Sequence, residues 1–406
     1  PFFLLLLTLH LLPPSSQVYS DEGLTWDYMA CQPEAADMTQ YLKVTLDPPN
    51  ITCGDPPETY CALENPYMCN NECDASTEEL AHPPELMFDI EGRNPTTFWQ
   101  STSWKKYPKA LLVNVTLSWN KTIELTDDIV LTFESGRPEQ MVLEKSLDYG
   151  RTWQPYQFYA TDCLDAFTME PKTVQDLTQH TLLDIICTED YSRGYVWKYD
   201  KTVRFEIKDR FALFAGPRLH NMASLYGQLD TTKNLRDFFT ITDLRIRLLR
   251  PATGATMVDE NNLSRYFYAI SDIKVQGRCK CNLHANSCVY DKEKLSCECE
   301  HNTTGPDCGR CKKNYQGRAW SAGSYLPIPK GTANICEYAK TYTGIQSNNE
   351  QVLHSGMKVV EKWVYSQFLP FFFLKVVQKK RPHCKNPNLT KCICLISSPN
   401  ISSHLK

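Results

Sequence analysis

The spacing of its cysteines constrains this chain more than any other feature of the sequence. Eight of the 18 cysteines lie within residues 279–336, in the pattern C-x-C-x6-C-x8-C-x-C-x8-C-x2-C-x24-C. A segment of about 58 residues with few aliphatic side chains cannot bury a stabilising core, whereas four disulfides at roughly 2–4 kcal/mol each can replace one. The pattern therefore predicts a small disulfide-rich module. Zinc or redox chemistry, which Cys308-x2-Cys311 alone would suggest, is not favoured by eight cysteines in this order.

The first residues of the chain indicate an oxidising, extracellular compartment. Residues 2–12 (FFLLLLTLHLL) have the length of a signal-peptide apolar run and are short for a membrane span, and Ser15 and Ser16 suit cleavage nearby. We therefore expect residues 1–16 to be a partial signal peptide. Five N-glycosylation sequons agree with secretion. Their asparagines are Asn50, Asn114, Asn120, Asn262 and Asn302.

Residues 17–278 carry the alternating apolar pattern of strands that bury one face. The clearest segments are 111–119, 128–134, 203–207, 243–250 and 266–275. Many short strands without long intervening helices favour a β-sandwich of the jelly-roll type. Helical pieces are expected in 175–186 and 221–238. The pattern S-x-D-x-G-x-T-W at 146–153 predicts a hairpin turn, in which Asp148 bonds the turn backbone and Gly150 takes a positive φ.

Catalytic and nucleic-acid-binding functions find no support in the sequence. The motifs H-E-x-x-H, G-x-S-x-G and the P-loop do not occur, and the nine histidines are not spaced as metal ligands. The net charge of −4 and the lack of a long basic run argue against a phosphate backbone as partner. The sequence therefore predicts a recognition module rather than an enzyme.

Several motifs carry a specific family resemblance. The stretch GRCKCNLHA at 277–285 resembles the junction between a laminin N-terminal domain and the first laminin-type EGF repeat, and CECEHNTTGPDC at 297–308 continues that repeat. The stretches ITCGDPP at 51–57, CNNECDAS at 69–76, EKSLDYGRTWQPYQFY at 144–159 and KDRFALFAGP at 208–217 are similar to the netrin-G (laminet) family. The resemblance implies a laminin N-terminal β-sandwich over 17–278 and one EGF repeat over 279–336. It does not extend to 337–406, which we expect to be an atypical, disordered tail.

The same resemblance implies seven disulfides, which spacing alone cannot select because eight cysteines allow 105 pairings. The pairs are Cys53–Cys73, Cys61–Cys69, Cys163–Cys187, Cys279–Cys288, Cys281–Cys297, Cys299–Cys308 and Cys311–Cys336. Cys31 stands outside this scheme. Netrin-Gs have an earlier cysteine near the mature N-terminus that this sequence does not show, so Cys31 either pairs with such a residue or keeps its thiol.

A structural calcium site is also implied by the resemblance. Its ligands would be the Leu86 carbonyl and the side chains of Asp89, Thr97 and Ser271. Calcium prefers hard oxygen ligands, and a single carboxylate predicts the weak affinity, around 10⁻⁴–10⁻³ M, that is typical of extracellular modules. Such a site would tie the loop at 86–97 to the strand that holds Ser271.

Netrin-Gs bind leucine-rich-repeat netrin-G ligands on a facing cell, so the resemblance implies a role in axon guidance and synapse organisation. The binding loops at one edge of the sandwich would be 61–71, 189–201 and 254–262, since rigid scaffolds commonly present functional loops. The contact residues expected in them are Glu64, Asn65, Tyr67, Tyr191, Tyr195, Trp197, Thr256 and Asp259. The Cys61–Cys69 bridge would hold the first loop in its bound form.

An alternative hypothesis is a matrix or glycan-binding laminin-like module. In it, Arg245, Arg247 and Arg250 would form a basic stripe for heparan sulfate on the outer face of one strand. Netrin-Gs are also anchored by glycosylphosphatidylinositol, which requires a terminal apolar tail. The residues at 400–406 (NISSHLK) do not provide one, so the expectation from this sequence is a secreted product.

Overall fold

The computed structural model describes residues 30–62, 68–89, 95–192, 201–215, 222–254, 256–326 and 331–339. The expected signal peptide at 1–16 and almost all of the expected tail lie outside these residues. In chain order the strands are β1 Ala36–Asp37, β2 Lys43–Asp47, β3 Glu58–Tyr60, β4 Asn71–Cys73, β5 Trp99–Gln100, β6 Val113–Leu125, β7 Ile129–Phe133, β8 Gln140–Ser146, β9 Gln154–Ala160, β10 Cys187–Thr188, β11 Thr202–Phe205, β12 Thr240–Arg250, β13 Ala269–Lys274, β14 Gln276–Cys279, β15 Cys288–Asp291, β16 Lys294–Cys297, β17 Thr303–Thr304 and β18 Arg310–Cys311. The α-helices are α1 Cys163–Phe167, α2 Ile207–Ala215, α3 Met222–Thr231 and α4 Lys233–Phe238.

Two sheets share one hydrophobic core, which confirms the predicted β-sandwich. The larger sheet has the order β1-β14-β6-β12-β8-β9-β10, with β2 also paired to β6, and the smaller has the order β11-β7-β13-β5. β6 alternates strictly, so that Val115 and Leu117 enter the core while Thr116 faces outward. Trp119 continues this row, which runs on to Leu125, and its indole donates to the Met38 carbonyl at 2.8 Å. The alternation in the sequence therefore becomes the inner and outer faces of the larger sheet.

A β-bulge in β13 departs from the simple alternation predicted for residues 266–275. Ile270 pairs with Phe133 and Asp272 with Thr132, so Ser271 is the extra residue between them. Ile270 and Ile273, on either side of the bulge, are both buried, and the Ser271 hydroxyl lies 3.3 Å from the Thr132 carbonyl oxygen. The alternation expected for residues 266–275 therefore breaks at Ser271, and after the extra residue the buried positions are Ile273 and Val275.

The helices correct two further expectations. Ile207, predicted as the last inward residue of a strand, instead begins α2, and β11 ends at Phe205. The 175–186 segment contains only the 3-10 turn Val174–Asp176 and non-helical turns, whereas the helical prediction for 221–238 is confirmed by α3 and α4. A Thr173–Asp176 capping box closes that short turn.

Two buried cations attach the helices and turns to the larger sheet. Arg210 of α2 is fully buried and donates to the carbonyls of Leu182 and Asp184 at 2.5 and 3.1 Å. Lys145 of β8 donates to the carbonyls of Asp237 and Phe238, both at 2.7 Å. Burial lowers the pKa of the Lys145 ammonium to about 7. Backbone carbonyls thus satisfy charges that would otherwise be costly to bury.

The 146–153 turn has the geometry that its sequence pattern predicts. Asp148 accepts from the backbone N–H and the hydroxyl of Thr152 at 2.8 and 2.7 Å, and the Gly150 N–H donates to Ser146 Oγ at 2.9 Å. Gly150 takes φ +76°, as the turn requires. Five hydrogen bonds link Ser146, Asp148, Gly150 and Thr152, which makes this turn a structural hairpin.

The disulfide-rich module packs against the sandwich, and the described residues up to Tyr338 belong to one compact unit. At the junction, the fully buried ammonium of Lys121 in β6 pairs with Asp307 and donates to the Lys280 carbonyl at 2.9 Å. The Thr122 hydroxyl donates to the second Asp307 oxygen at 2.7 Å. One carboxylate of the module is therefore held by two consecutive residues of the sandwich.

Candidate recognition edge

The first candidate loop is a hairpin stapled by two disulfides. β3 and β4 pair from Glu58 to Cys73, and the bridges Cys53–Cys73 and Cys61–Cys69 close it at its base and near its tip. The Ala62 N–H donates to the Met68 carbonyl at 2.7 Å, directly beside the second bridge. Glu64, Asn65 and Tyr67, the contact residues expected here, lie outside the described residues.

The third candidate loop is held by hydrogen bonds around Asp259. The Asp259 N–H donates to the Tyr266 hydroxyl at 2.9 Å, and its carboxylate accepts from the Asn261 N–H at 3.1 Å and lies 3.6 Å from the Arg265 guanidinium. The Thr256 hydroxyl donates to the Thr253 carbonyl at 2.9 Å. Asp259 and Thr256, both expected as contact residues, therefore also shape the loop.

The first and third loops touch. The Cys61 N–H donates to the Ser264 carbonyl at 3.2 Å, and the Asn262 amide Nδ2 lies 3.4 Å from Cys69 Sγ. Asn262 Oδ1 lies 3.5 Å from Cys61 Sγ, so its side chain sits on the disulfide itself. We call the described residues of these two joined loops, 61–62, 68–71, 254 and 256–262, the recognition edge. Sequence separation of about 200 residues hides this contact from any local pattern.

Two methionines supply exposed apolar surface on the recognition edge. Met68 is 53% exposed and Met257 is 93% exposed. Methionine is flexible and polarizable, and it is common at surfaces that bind proteins. The sequence prediction favoured aromatic residues and missed both, although their position inside the loop ranges was a usable signal.

The second candidate loop, 189–201, is described only at its ends. Tyr191 is half-buried, its ring lies 6.0 Å from that of Tyr159, and its hydroxyl donates to the Glu206 carboxylate. Burial and then the Glu206 charge raise the pKa of the Tyr191 hydroxyl. These contacts make Tyr191 a support of the loop, and its expected contact with a partner stays a prediction. Tyr195 and Trp197 lie outside the described residues.

Two of the four residues expected to hold calcium, Asp89 and Thr97, contact each other directly. The Thr97 hydroxyl donates to Asp89 Oδ2 at 2.7 Å, across residues 90–94, which are not described. Leu86 belongs to the 3-10 turn Pro84–Met87, which lies against β13, the strand of Ser271. All four residues offer oxygen donors, the chemistry that calcium prefers.

The expected basic stripe is largely neutralised by carboxylates. Glu144 accepts from Arg245 and Arg247, with nearest N–O distances of 2.5 and 3.1 Å, and Glu139 accepts from Arg250 at 2.7 Å. The Arg245 guanidinium also lies 4.2 Å from the Trp153 ring centroid. The arginines do face outward, as predicted, but their charge is locally balanced, which weakens the case for a polyanion on this face.

Two histidines of the module lie close to Cys31. The Nδ1 atoms of His284 and His301 are 3.0 Å apart, and His284 Nε2 lies 2.9 Å from the Ser321 carbonyl oxygen. Buried Cys31 Sγ lies within 4.8 Å of ligand atoms of Glu300 and His301. The sequence spacing of these residues gave no sign of this cluster.

The seven disulfides of the structure have the pairing that the family resemblance implies. They are Cys53–Cys73, Cys61–Cys69, Cys163–Cys187, Cys279–Cys288, Cys281–Cys297, Cys299–Cys308 and Cys311–Cys336. Of the sequon asparagines, Asn50 and Asn120 are exposed, and Asn114, Asn262 and Asn302 are half-buried. Their glycosylation stays a prediction.

Within the described part of the chain, no helix has the length and apolar character needed to cross a bilayer. Residues 31–277 match the family model for the laminin N-terminal domain (Domain VI), and residues 279–324 match that for the laminin EGF domain. The chain is similar to netrin-G1 of Homo sapiens, at 79% identity over 321 residues that cover 79% of this chain and 59% of that relative. It is also similar to netrin-G2 of Homo sapiens, at 58% identity over 347 residues, or 84% and 66% of the two chains. The chain thus spans about three fifths of the length of its netrin-G1 relative.

Proposed function

This chain belongs to the laminin N-terminal family, and from that kinship we propose that it is an extracellular adhesion and recognition module. Its partner would be a leucine-rich-repeat netrin-G ligand on a facing cell. Through that contact the chain would guide axons and organise synapses. A non-enzymatic role agrees with the kinship, because laminin N-terminal and laminin EGF domains are structural and adhesive modules.

The observation that carries the proposal is the joining of two loops into one recognition edge. The Cys61–Cys69 bridge, the Asn262 side chain and the Cys61–Ser264 hydrogen bond fix the edge before any partner arrives. A surface that is already ordered loses less conformational entropy on binding. Exposed Met68 and Met257 then offer adaptable apolar contacts on the recognition edge.

Binding to immobilised netrin-G ligand ectodomains, measured by surface plasmon resonance with the full chain, tests this proposal. We expect Met257→Asp to weaken binding about tenfold or more, because it places a charge in the apolar contact area. Tyr149→Asp is the control, since Tyr149 is another exposed hydrophobic residue, at 48% against 93% for Met257, but lies on the 146–153 hairpin. Equal binding by both variants and the wild type would remove the recognition edge from the account.

The glycan-binding alternative predicts salt-sensitive retention on heparin that depends on Arg245, Arg247 and Arg250. Their pairing with Glu144 and Glu139 favours the protein partner instead. Elution of a triple-alanine variant from a heparin column distinguishes the protein-partner hypothesis from the glycan-binding one. Only the glycan-binding hypothesis predicts that the variant elutes at lower salt than the wild type.

We also propose a structural calcium ion bound by the Leu86 carbonyl, Asp89, Thr97 and Ser271. Their oxygens fit the ion, and the bound ion would join the 86–97 loop to the bulge of β13. Isothermal titration should show weak calcium binding that Asp89→Asn abolishes and the exposed control Asp291→Asn retains. Unchanged binding by Asp89→Asn would exclude this site.

A further inference from the structure

Asn262 has two properties that conflict. Its side chain lies on the Cys61–Cys69 disulfide, with Nδ2 at 3.4 Å from Cys69 Sγ and Oδ1 at 3.5 Å from Cys61 Sγ. It is also the acceptor residue of the sequon Asn262-Leu263-Ser264. The atom that receives a glycan, Nδ2, is therefore the same atom that faces the disulfide of the other loop.

The surroundings fix where a sugar at Asn262 would stand. The Asn262 N–H donates to the Asp259 carbonyl at 3.0 Å, and the next residues form the 3-10 turn Leu263–Arg265, whose Ser264 carbonyl accepts from the Cys61 N–H. Backbone contacts on both sides thus hold the residue between the two loops. A first sugar bonded to Nδ2 lies at their junction and within reach of both.

We propose that Asn262 is a modification site that controls access to the recognition edge, an inference that rests on the proposed function. The unmodified side chain joins the two loops, and a glycan on Nδ2 covers the edge. In the modification, a bond forms between Nδ2 and C1 of the first sugar of a lipid-diphosphate-linked oligosaccharide. The bond from C1 to the diphosphate breaks, and one amide proton leaves.

The order of events explains why both forms arise. Transfer of the oligosaccharide occurs during export, on chain that has not yet folded. Once Cys61 and Cys69 are bridged, Nδ2 lies against sulfur in a half-buried position and is shielded from the transferase. Slow closure of the first loop gives modified chains that cannot bind, and fast closure gives unmodified chains that can.

Three variants of the full chain, expressed in glycosylating cells, separate the roles of the residue. Ser264→Ala destroys the sequon and keeps the Asn262 side chain, whereas Asn262→Gln removes both. Thr116→Ala is the matched control, because it deletes the Asn114 sequon in β6, on the outer face of the larger sheet. Occupancy is read by glycopeptide mass, and loop closure by the rate at which dithiothreitol reduces Cys61–Cys69.

We expect glycan mass at Asn262 in part of the wild-type chain and none in Ser264→Ala. The glycosylated fraction should bind netrin-G ligand ectodomains at least about tenfold more weakly than Ser264→Ala, because the sugars clash with the partner. Thr116→Ala should leave binding unchanged. Dithiothreitol should reduce the Cys61–Cys69 disulfide faster in Asn262→Gln than in Ser264→Ala. That difference would show, without any partner, that the Asn262 side chain protects the disulfide.

Absence of glycan at Asn262 in the wild type would overturn the proposal, and so would equal binding by the glycosylated fraction and Ser264→Ala. If Ser264→Ala and every other form fail to bind while Asn262 is occupied, the proposed function fails, and control of access fails with it. The mass and reduction data then still separate that result from a failure of the modification itself.

Discussion

The sandwich and the EGF repeat use the same covalent bond for different purposes. In the sandwich, two sheets bury a large apolar core, and the Cys61–Cys69 bridge lies at its edge, where it shapes a loop. In the repeat, the buried aliphatic side chains among the described residues are Leu283, Ala285 and Leu295, and four disulfides hold the chain. The comparison shows that burial fixes the scaffold in one region and cross-links do so in the other.

The largest effect should come from opening the core of the sandwich. Trp119→Ala should lower the free energy of unfolding by about 3–5 kcal/mol, since it leaves a cavity and deprives the Met38 carbonyl of its donor. Trp153→Ala, which removes a half-exposed ring above Arg245, is the control and should cost about 1 kcal/mol or less. Chemical denaturation measures both, and equal losses would show that burial does not dominate this region.

Removing one bridge of the repeat should act locally. The double variant Cys281→Ser, Cys297→Ser should lower the free energy of unfolding of the repeat by about 2–5 kcal/mol. Backbone amides in 279–336 should then exchange faster with solvent. Hydrogen exchange should leave the strands of the sandwich protected. Comparable loss of protection in β6 and β12 would contradict the division between a core-stabilised region and a cross-linked one.

The junction offers a smaller and more specific test. Asp307→Ala should lower the free energy of unfolding by about 2 kcal/mol. This is less than the ~3–5 kcal/mol expected for a fully enclosed ion pair, because the Asp307 side chain is 23% exposed. The partner, Lys121, is left buried without its carboxylate. Adding Lys121→Met should recover most of the loss, and a double-mutant cycle that finds additive effects would contradict the coupling of the two regions.

The smallest expected effect depends on pH. Burial lowers the pKa of His284 in the repeat and of His82 in the sandwich below the ordinary value of 6.5. Below that pH the unfolded chain binds more protons than the folded chain, so stability falls as the pH falls through the folded-state pKa values. Hydrogen exchange at pH 7.4 and 5.5 should show the loss in both regions. His284→Asn should remove it from the repeat alone.

Some of this architecture follows from local pattern, and some does not. The alternation of residues 111–119 and the outward position of Arg245 and Arg247 could be predicted, because a strand with one buried face has a period of two. Inward-facing Lys121 could not, since the carboxylate that permits it lies 186 residues away. The disulfide pairing came from family resemblance, as spacing leaves it open.

In the candidate site, too, some features could be predicted from the sequence and others could not. The loop ranges came from resemblance, but the contact of Asn262 with the Cys61–Cys69 bridge depends on how distant segments fold together. Tyr191 illustrates the limit of composition, because an aromatic residue in a loop also serves as internal support. The bulge at Ser271 required the register of β13 against β7.

In the proposed function, recognition depends most on the Cys61–Cys69 cross-link that holds the first loop ready for binding. Affinity for netrin-G ligand ectodomains, compared between Cys61→Ser with Cys69→Ser and Cys311→Ser with Cys336→Ser, tests this directly. We predict a loss of at least about tenfold for the first pair and little change for the second, which lies in the repeat. Unchanged affinity without the Cys61–Cys69 bridge would contradict the account.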